Sequence, residues 1–435
     1  GSYATVRETV SGLARVGAWD LAGGVHAMRT DGHRDGAGGD QLIGSAAARY
    51  RFTPHLTLTA RHKVVHLDGA DPGPVTHPTP EHWYDVWRDT ASLRLDWRRG
   101  RLRLGMTPYL NVGVHELFDG FRSVDHVGGG VAEAEVRAGS ITDFLIGTAW
   151  QEVGGRVDNR ITGERPSVSG MTDVSAYGQV DVRPVERVSL VVGARELLSS
   201  SHGAVLLYKG GARWSPFDGL ALHTRVSRNF RQPTIRELYL PYPTANPDLR
   251  AERSLNWDAG AGHVSEHLEL SGSGYRTEAT DLIRYFGSWP TAEVVNVDHV
   301  VIWGVEGSVG LKRLGPASLF VTGNWQDVGR YTRQNPEAKL DFTLEVGDDL
   351  GVGFLGGSVS GEWVHGLYMG DYSRQPIDDV FAMDLSLRYR HESLERGTSL
   401  EPYLLVRNLL DRRYAYVEGY PMPGLNALIG LRIGV

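Results

Sequence analysis

Residues 93–106 read Leu93-Arg94-Leu95-Asp96-Trp97-Arg98-Arg99-Gly100-Arg101-Leu102-Arg103-Leu104-Gly105-Met106. Apolar and polar residues alternate on both sides of the central Arg-Arg-Gly-Arg, which places successive side chains on opposite faces of a strand. A two-residue turn at Arg99-Gly100 would pair Trp97 with Leu102 and Leu95 with Leu104, and would keep the apolar residues on one face. The stretch therefore predicts an antiparallel hairpin with one apolar and one polar face.

The same alternation recurs at 220–226, 381–389 and 425–435. Short connections at 52–55, 99–100, 215–219 and 314–316 lie between longer ones near 31–40, 67–90, 154–171, 231–254, 326–341, 366–379 and 411–424. Short turns at one end and long loops at the other are typical of an up-and-down outer-membrane β-barrel. Counting in this way gives roughly 21 strands, and bacterial single-chain barrels have an even number. We predict an all-β fold, a large antiparallel transmembrane β-barrel of about 22 strands in the intact protein, with one fewer in this chain.

Composition excludes several other classes of protein. No apolar run approaches the roughly 18–20 residues that a membrane helix needs, and no signal peptide opens the chain at Gly1. The net charge of −7 provides no basic field for nucleic acid.

Lys occurs only at positions 63, 209, 312 and 339, so nearly all of the 45 basic residues are Arg. The excess of Arg indicates either genome composition or planar charge pairing along a wet lumen.

Two long segments resemble motifs of the TonB-dependent receptor family. The first contains Asn229-Phe230-Arg231-Gln232-Pro233-Thr234-Ile235-Arg236-Glu237-Leu238-Tyr239 and then Asn246-Pro247-Asp248-Leu249-Arg250-Ala251-Glu252-Arg253-Ser254. The second contains Asn408-Leu409-Leu410-Asp411-Arg412-Arg413-Tyr414 and then Gly419-Tyr420-Pro421-Met422-Pro423-Gly424. The motif positions that match the family are Phe230, Pro233, Glu237, Asn246, Pro247, Asn408, Asp411 and Tyr414. Residues 1–7 and 29–35 are also similar to the strands that follow the plug domain in these receptors.

The resemblance implies that residues 1–435 are a single receptor-type β-barrel domain from which the N-terminal plug domain is absent. The intact protein would be a monomer in the outer membrane of a Gram-negative-type bacterium, in contact with outer-membrane lipid. It would take up a small, scarce metal-chelate ligand such as a ferric siderophore, haem or cobalamin. The energy would come from the TonB-ExbB-ExbD complex, acting through the missing N-terminal region. We expect no catalytic activity, no cofactor and no nucleic-acid partner.

Two other functions share parts of this pattern. A passive porin or diffusion channel would show the same alternation but would lack the two family motifs. A hydrolase built on a barrel would need a Ser/His or Asp/His group at the rim, and no local motif among the 16 His indicates one. The spacing of Gly351, Gly353 and Gly356 matches a dinucleotide-binding fingerprint. Such a site needs a helix directly after the glycines, and the residues that follow here predict a strand or a turn.

Candidate ligand contacts lie in the predicted outer loops. They are Trp83, Tyr84, Trp87, Arg231, Arg236, Tyr239 and Tyr242. Aromatic rings in loops either stack on a ligand or form the interfacial girdle of a barrel. The three residues at 83–87 are the best ligand candidates, because they are predicted to sit deep in a long polar loop. Arg231, Arg236 and Glu237 either pair at the rim or only shape the loop.

Four carboxylates are weak candidates for a calcium site in the outer loops. They are Asp348, Asp349, Asp378 and Asp379. Their oxygens are ligands of the kind that calcium prefers, and solvated turn carboxylates are the alternative interpretation. His115-Glu116 and His391-Glu392 lack a second His at the spacing that zinc-protease chemistry requires.

Overall fold

The computed structural model of the chain describes residues 1–240, 245–287, 292–371, 373–393 and 397–435. Almost all regular structure in these residues is β-strand, and one short helix, α1, spans Ile235–Tyr239. No helix within the described ranges is long and apolar enough to cross a membrane.

The strands follow one another along the whole chain. The first twelve are β1 Val6–Val16, β2 Trp19–Thr30, β3 Gly39–Thr53, β4 Leu56–Ala70, β5 Trp83–Arg99, β6 Leu102–Leu117, β7 Phe121–Ala138, β8 Thr142–Asn159, β9 Met171–Val185, β10 Val188–Ser199, β11 Gly203–Trp214 and β12 Leu220–Arg231. After α1 come β13 Glu252–Val264, β14 Leu268–Phe286, β15 Glu293–Leu314, β16 Ala317–Asp327, β17 Ala338–Asp349, β18 Phe354–His365, β19 Val380–Ser393, β20 Thr398–Arg407, β21 Ala415–Val417, β22 Tyr420–Pro421 and β23 Asn426–Gly434.

Each strand from β1 to β20 pairs antiparallel with the next, and β20 pairs with β23. The result is a 21-stranded meander, and β21 and β22 form a separate small sheet within the last loop. This confirms the predicted all-β barrel with one strand fewer than 22. In an up-and-down order each strand pairs with its neighbours in the chain, and these ladders satisfy the backbone hydrogen bonds of the strands that they join.

The segment before β1 meets the last strand of the meander at one point. The backbone N–H of Ser2 donates to the carbonyl of Ala427 at 2.8 Å, and the N–H of Ala427 donates to Ser2 Oγ at 3.0 Å. Because the number of strands is odd, β1 and β23 run in the same direction, so the antiparallel pattern does not continue across this seam. No ladder pairing joins these two strands in the described part of the chain.

Strict alternation gives the sheet an apolar and a polar face. Leu95, Met106 and Ile146 lie on the same face, and they are 41 %, 55 % and 61 % exposed. The other face of the same strands carries Arg94 and Asp96, whose Nε and Oδ2 atoms are 2.8 Å apart. Exposed apolar side chains along a barrel face lipid, and the ion-paired face lines the lumen. We call these the outward and the inward face.

Connection lengths alternate from one end of the barrel to the other. The short-turn end includes the turns 54–55, 100–101, 215–219 and 315–316. The long-loop end includes 31–38, 71–82, 160–170, 232–251, 328–337, 366–379 and 408–425. Several predicted loops are shorter than expected, because β4, β5 and β8 continue as paired strands into the polar segments. Above the membrane both faces of a strand are wet, so a polar sequence there does not exclude a strand.

The predicted register of the first hairpin was wrong by two residues. Trp97 pairs with Leu104 and Leu95 with Met106, and the turn is Gly100-Arg101. Gly100 has a φ of 59°, which fits the first central position of a two-residue hairpin turn, where glycine is favoured. A shift of two residues keeps all apolar side chains on one face, so the prediction of the faces was right although the pairing was not.

Candidate functional site

Helix α1 lies inside the mouth of the barrel at the long-loop end. Its N-cap Thr234 accepts a hydrogen bond from Glu237 N at 3.2 Å, and Glu237 Oε2 accepts one from Thr234 N at 2.7 Å. This reciprocal pair is a capping box, which satisfies amides that a helix start leaves without partners. Pro233, immediately before it, is fully buried. The family motif therefore specifies how the chain turns from β12 into the mouth.

Arg231 fixes both ends of this loop. Its Nη2 atom is 2.6 Å from Glu252 Oε1, and its Nη1 atom is 3.2 Å from Glu237 Oε2. Both carboxylates are largely buried, with side chains 9 % and 14 % exposed. Glu252 also accepts a hydrogen bond from Ile283 N at 2.8 Å. One guanidinium thus joins the end of β12, helix α1 and the start of β13.

An apolar cluster holds α1 against the inward face of the strands. Its buried members are Met171, Leu238, Leu249, Ile283 and Val294, with Ile235 and Tyr239 packed on them. The Asn246 side chain donates to the Val294 carbonyl at 3.0 Å, and its backbone N–H donates to the Glu237 carbonyl at 2.9 Å. Pro247 follows in an exposed turn. Burial of these side chains packs the loop against the wall of the mouth.

A cavity of about 940 Å³ lies on one side of α1. It is lined by Pro233 and Arg236 from the loop and by His115, Phe118 and Met171 from the wall. Arg236 is exposed, and His115 makes an edge contact with Phe121. A mainly apolar lining with a few charged groups is the usual composition of a small-molecule site.

A second cavity of about 770 Å³ lies on the other side of α1. Arg231, Glu237 and Tyr285 line it together with Met369 and Asp371 from the 366–379 loop. A larger cavity of about 1080 Å³, lined by Arg213 and Glu306 among others, lies at the short-turn end and is part of the open lumen. The two cavities beside α1 therefore lie at the long-loop end of the barrel, away from the short-turn cavity.

The predicted aromatic candidates occupy different faces. Trp83, Tyr84 and Trp87 belong to β5, so their predicted position within a loop was wrong. Trp83 and Trp87 point outward and are each 45 % exposed, and the Trp87 ring stacks on His66 at 4.0 Å between centroids. Their face and exposure suit an interfacial girdle. Tyr84 points inward, where its ring lies beside Gly69.

The carboxylate candidates for a metal lie at opposite ends of the barrel. Asp348 and Asp349 end β17 at the short-turn end, which corrects their predicted place in outer loops. Asp349 accepts a hydrogen bond from Gly351 N at 2.8 Å. Asp379 lies at the long-loop end and pairs with His365 Nδ1 at 2.8 Å. No group of three or more metal-binding side chains occurs among the described residues. Tyr242 lies outside them.

The second motif shapes the 408–425 loop. Asn408 is buried, and its Nδ2 atom donates to the carbonyls of Arg412 at 2.8 Å and Pro423 at 3.0 Å. Asp411 Oδ1 accepts from Leu425 N at 2.8 Å. Tyr414 packs on Val364 and its neighbours, and burial raises its pKa. These contacts give Asn408, Asp411 and Tyr414 structural roles at the end of β20.

The family model described as TonB dependent receptor-like, β-barrel matches residues 72–409. The chain belongs to this family. The TonB-dependent receptors are receptors and transporters and not enzymes, as the sequence predicted.

Solved structures share the fold of this TonB-dependent receptor barrel. "Copper transporter OprC" is 15 % identical with a TM-score of 0.81, and the match covers 100 % of this chain and 78 % of that one. The siderophore receptor PirA from Pseudomonas aeruginosa is 12 % identical with a TM-score of 0.77, covering 99 % and 77 %. The ferric-catecholate import receptor Fiu from K12 E. coli is 12 % identical with a TM-score of 0.79, covering 99 % and 80 %.

Three features of this receptor mouth were not predicted from the sequence. Thr234 and Glu237 have the spacing of a capping box, which the sequence alone could have indicated. Glu252 lies within the quoted motif, but its contact with Arg231 depends on the loop returning to β12. The place of His115 in the mouth gave no sequence signal, because it lines the same cavity as Arg236 only through the curvature of the sheet.

Proposed function

We propose that the protein is an outer-membrane receptor that takes up a scarce metal chelate, such as a ferric siderophore, haem or cobalamin, with energy from the TonB-ExbB-ExbD complex. The observation that carries this proposal is a packed mouth inside a barrel of the TonB-dependent receptor family. The names of the similar structures, which include siderophore receptors and a copper transporter, support a metal or metal chelate as the ligand. A passive porin remains the alternative.

We propose that the ligand contacts the cavity beside α1. Arg236 supplies an exposed positive charge there, and Phe118 and His115 supply flat rings. Tyr84 is an additional inward-facing candidate. Arg231 is less suited to a ligand, because Glu237 and Glu252 already occupy its guanidinium. Tyr239 is less suited because it packs against the apolar cluster. Trp83 and Trp87 remain sequence-based candidates on the outward face.

The test is uptake by cells that express the full-length gene. A radiolabelled ferric tricatecholate, haem, cobalamin and copper are each offered to cells with the TonB gene present and deleted. Accumulation of one of these that disappears without TonB supports the proposal and identifies the substrate. Uptake that depends only on solute size and is indifferent to TonB contradicts it and favours a porin.

The site is tested separately by binding to the purified full-length receptor. Arg236→Ala should weaken binding of the transported compound about tenfold, the effect of losing one charged hydrogen bond. Arg253→Ala is the matched control, because Arg253 is exposed on the outward face of β13. Equal affinities for the two variants would place the ligand elsewhere in the mouth.

A further inference from the structure

Aromatic side chains on the outward face mark the level at which the barrel meets the outer membrane surface. Trp257, Trp303 and Trp325 lie on neighbouring strands and are 43 %, 45 % and 44 % exposed. Rings of Trp and Tyr concentrate where hydrocarbon gives way to lipid head groups. A transmembrane strand needs about 9–11 residues, and the segment 317–325, from the short turn to one of these rings, has nine. The three rings therefore lie at the outer interface.

Three arginines lie on the outward face at this level. Arg276 of β14 is directly opposite a tryptophan on each neighbouring strand. Arg228 of β12 is directly opposite Tyr208 of β11. Arg253 of β13 is a diagonal neighbour of Arg228, two residues nearer the mouth than the direct partner of Arg228. We call Arg228, Arg253 and Arg276 the outer arginine patch.

A single carboxylate accompanies these three cations. On the outward face of β12, β13 and β14 up to Thr280, a part of the chain that is described completely, Glu278 is the one acidic residue. It pairs with Arg276, whose Nη2 atom is 2.7 Å from Glu278 Oε1. Arg228 is half-buried and Arg253 is exposed, and neither has an ion pair or a side-chain hydrogen bond within the described residues. Two guanidinium groups of the patch are therefore available to a group outside the chain.

The outward face has the opposite charge on the other side of the barrel. A row of carboxylates, each directly opposite the next, crosses β3–β6 at the long-loop end, and its members are Asp40, Asp68, Asp85 and Glu116. Arg156 of β8 also lacks an ion pair, but Glu152 and Asp158 lie on the same face of that strand. Among the described strands, a surplus of positive charge at the outer interface is therefore confined to β12–β14.

The position of the patch restricts which anion can reach it. Charged side chains at the membrane interface pair with other groups or extend into the head-group layer. Like charges on neighbouring strands repel each other, so Arg228 and Arg253 gain most from an anion that both can contact. Phosphate suits this role, because a guanidinium donates two parallel hydrogen bonds to its oxygens. At the level of the aromatic rings, the phosphate within reach belongs to a lipid.

We propose that the outer arginine patch binds the phosphate group of an outer-leaflet lipid. Arg228 and Arg253 donate to the phosphate oxygens, and the acyl chains lie along the apolar outward residues nearer the short turns, such as Val226. The bound phosphate joins β12 to β13 on the outward face, as Arg231 and Glu252 join them on the inward face. These are the two strands that carry the α1 loop. The proposal depends on the outer-membrane location of the barrel and not on the compound that is taken up.

The test measures lipid binding to the full-length receptor after co-purified lipid has been removed in a neutral detergent. The probe is bisphosphorylated lipid A, a phosphorylated glycolipid of the outer leaflet, and the same glycolipid without its phosphates is the comparison. Non-denaturing mass spectrometry counts the lipid molecules that remain bound at each lipid concentration. Heat-modifiable mobility in gels reports whether each variant is folded.

The variants are Arg228→Gln, Arg253→Gln, the two together, and Arg29→Gln. Arg29 is the matched control, because it is exposed on the outward face at the same end of the barrel but lies directly opposite Asp40. A further variant replaces both Arg228 and Arg253 with Lys, which keeps the charges and removes the two-pronged hydrogen bonding.

We expect the unaltered receptor to bind the bisphosphorylated lipid about tenfold more tightly than the dephosphorylated one. The double Gln variant should lose this preference, and each single Gln variant should lose part of it. Arg29→Gln should bind as the unaltered receptor does. The double Lys variant should have an intermediate affinity, because it attracts the phosphate as a point charge only.

Equal binding of the two glycolipids by the unaltered receptor would overturn the proposal, and this comparison needs no variant to fold. Full affinity in the double Gln variant would overturn it too, as would an equal loss in Arg29→Gln. Displacement of the lipid by inorganic phosphate at millimolar concentration would also overturn it, since the site would then bind free anions. Lipid binding is measured without transport, so its failure and the failure of TonB-dependent uptake are distinguished.

Discussion

Asn408 is 2 % exposed and has a positive φ of 49° immediately after β20. Its side-chain Nδ2 atom donates to the carbonyls of Arg412 at 2.8 Å and Pro423 at 3.0 Å, and its Oδ1 atom accepts a hydrogen bond from Arg412 N at 2.9 Å. Asn is one of the few residues that tolerate this backbone conformation. Asn both tolerates the positive φ at this position and provides the side-chain hydrogen bonds. These two requirements explain its place in the motif without any contact to a ligand.

Asn408→Ala should lower the free energy of local opening of the 408–425 loop by about 2–4 kcal/mol, from buried groups left without partners and from strain at positive φ. Hydrogen exchange at the Arg412 and Leu425 amides measures this opening. Asn229→Ala is the control, because Asn229 is exposed and its side chain has no hydrogen bond within the described residues; it should change stability by less than about 0.5 kcal/mol. Unchanged protection in Asn408→Ala would show that the loop is held by other contacts.

Helix α1 has only five residues, too few to be stable in isolation. Its formation depends on the capping box at Thr234 and on burial of Leu238 against the apolar cluster. The family motif contains the information for the cap, because Thr and Glu at this spacing satisfy amides locally. The apolar partners Met171, Ile283 and Val294 come from distant strands.

Thr234→Ala should destabilise α1 by about 1 kcal/mol through loss of the N-cap. Hydrogen exchange at Glu237 and Leu238 should become about fivefold faster, which corresponds to that free energy. Thr234→Ser retains the accepting hydroxyl and should exchange at the rate of the unaltered protein. Equal exchange in all three proteins would mean that packing alone orders the helix.

The barrel as a whole depends on the separation of its two faces. Ile146 on β8 lies on the outward face, 61 % exposed, between the small residues Ala134 and Gly178 of the adjacent strands. Thr322 on β16 is exposed on the inward face and lines the open lumen. A charge is costly on the first face because it must enter hydrocarbon, and it is tolerated on the second because the lumen is polar.

Ile146→Arg should destabilise the protein by about 2–4 kcal/mol in lipid vesicles, the cost of an Arg near the bilayer midplane. Thr322→Arg should change stability by less than about 1 kcal/mol. Denaturant unfolding in vesicles, followed by tryptophan fluorescence, compares the two. If Thr322→Arg were the more harmful substitution, the assignment of outward and inward faces would be reversed.

The sequence by itself determined the fold class and the alternation of short turns and long loops through its periodicity, and the family through the resemblance of its two motifs. Period-two patterning depends only on the geometry of a single strand, and the motifs are continuous in the chain, so both are visible without tertiary structure. The prediction was weakest where the pattern ends. Beyond the membrane both faces of β5 are wet, and the strand that contains Trp83 and Trp87 looked like a loop.

Only the tertiary structure decided which of the motif residues are engaged in holding the mouth together. Arg231 meets Glu252 because the intervening loop folds back, and His115 faces the cavity beside Arg236 because six strands curve between them. Arg49, Arg61 and Lys63 likewise share the inward face of β3 and β4 only through register, since a slip of one residue would move them to the lipid face. Charges that are scattered along the sequence become a continuous surface only when neighbouring strands are aligned.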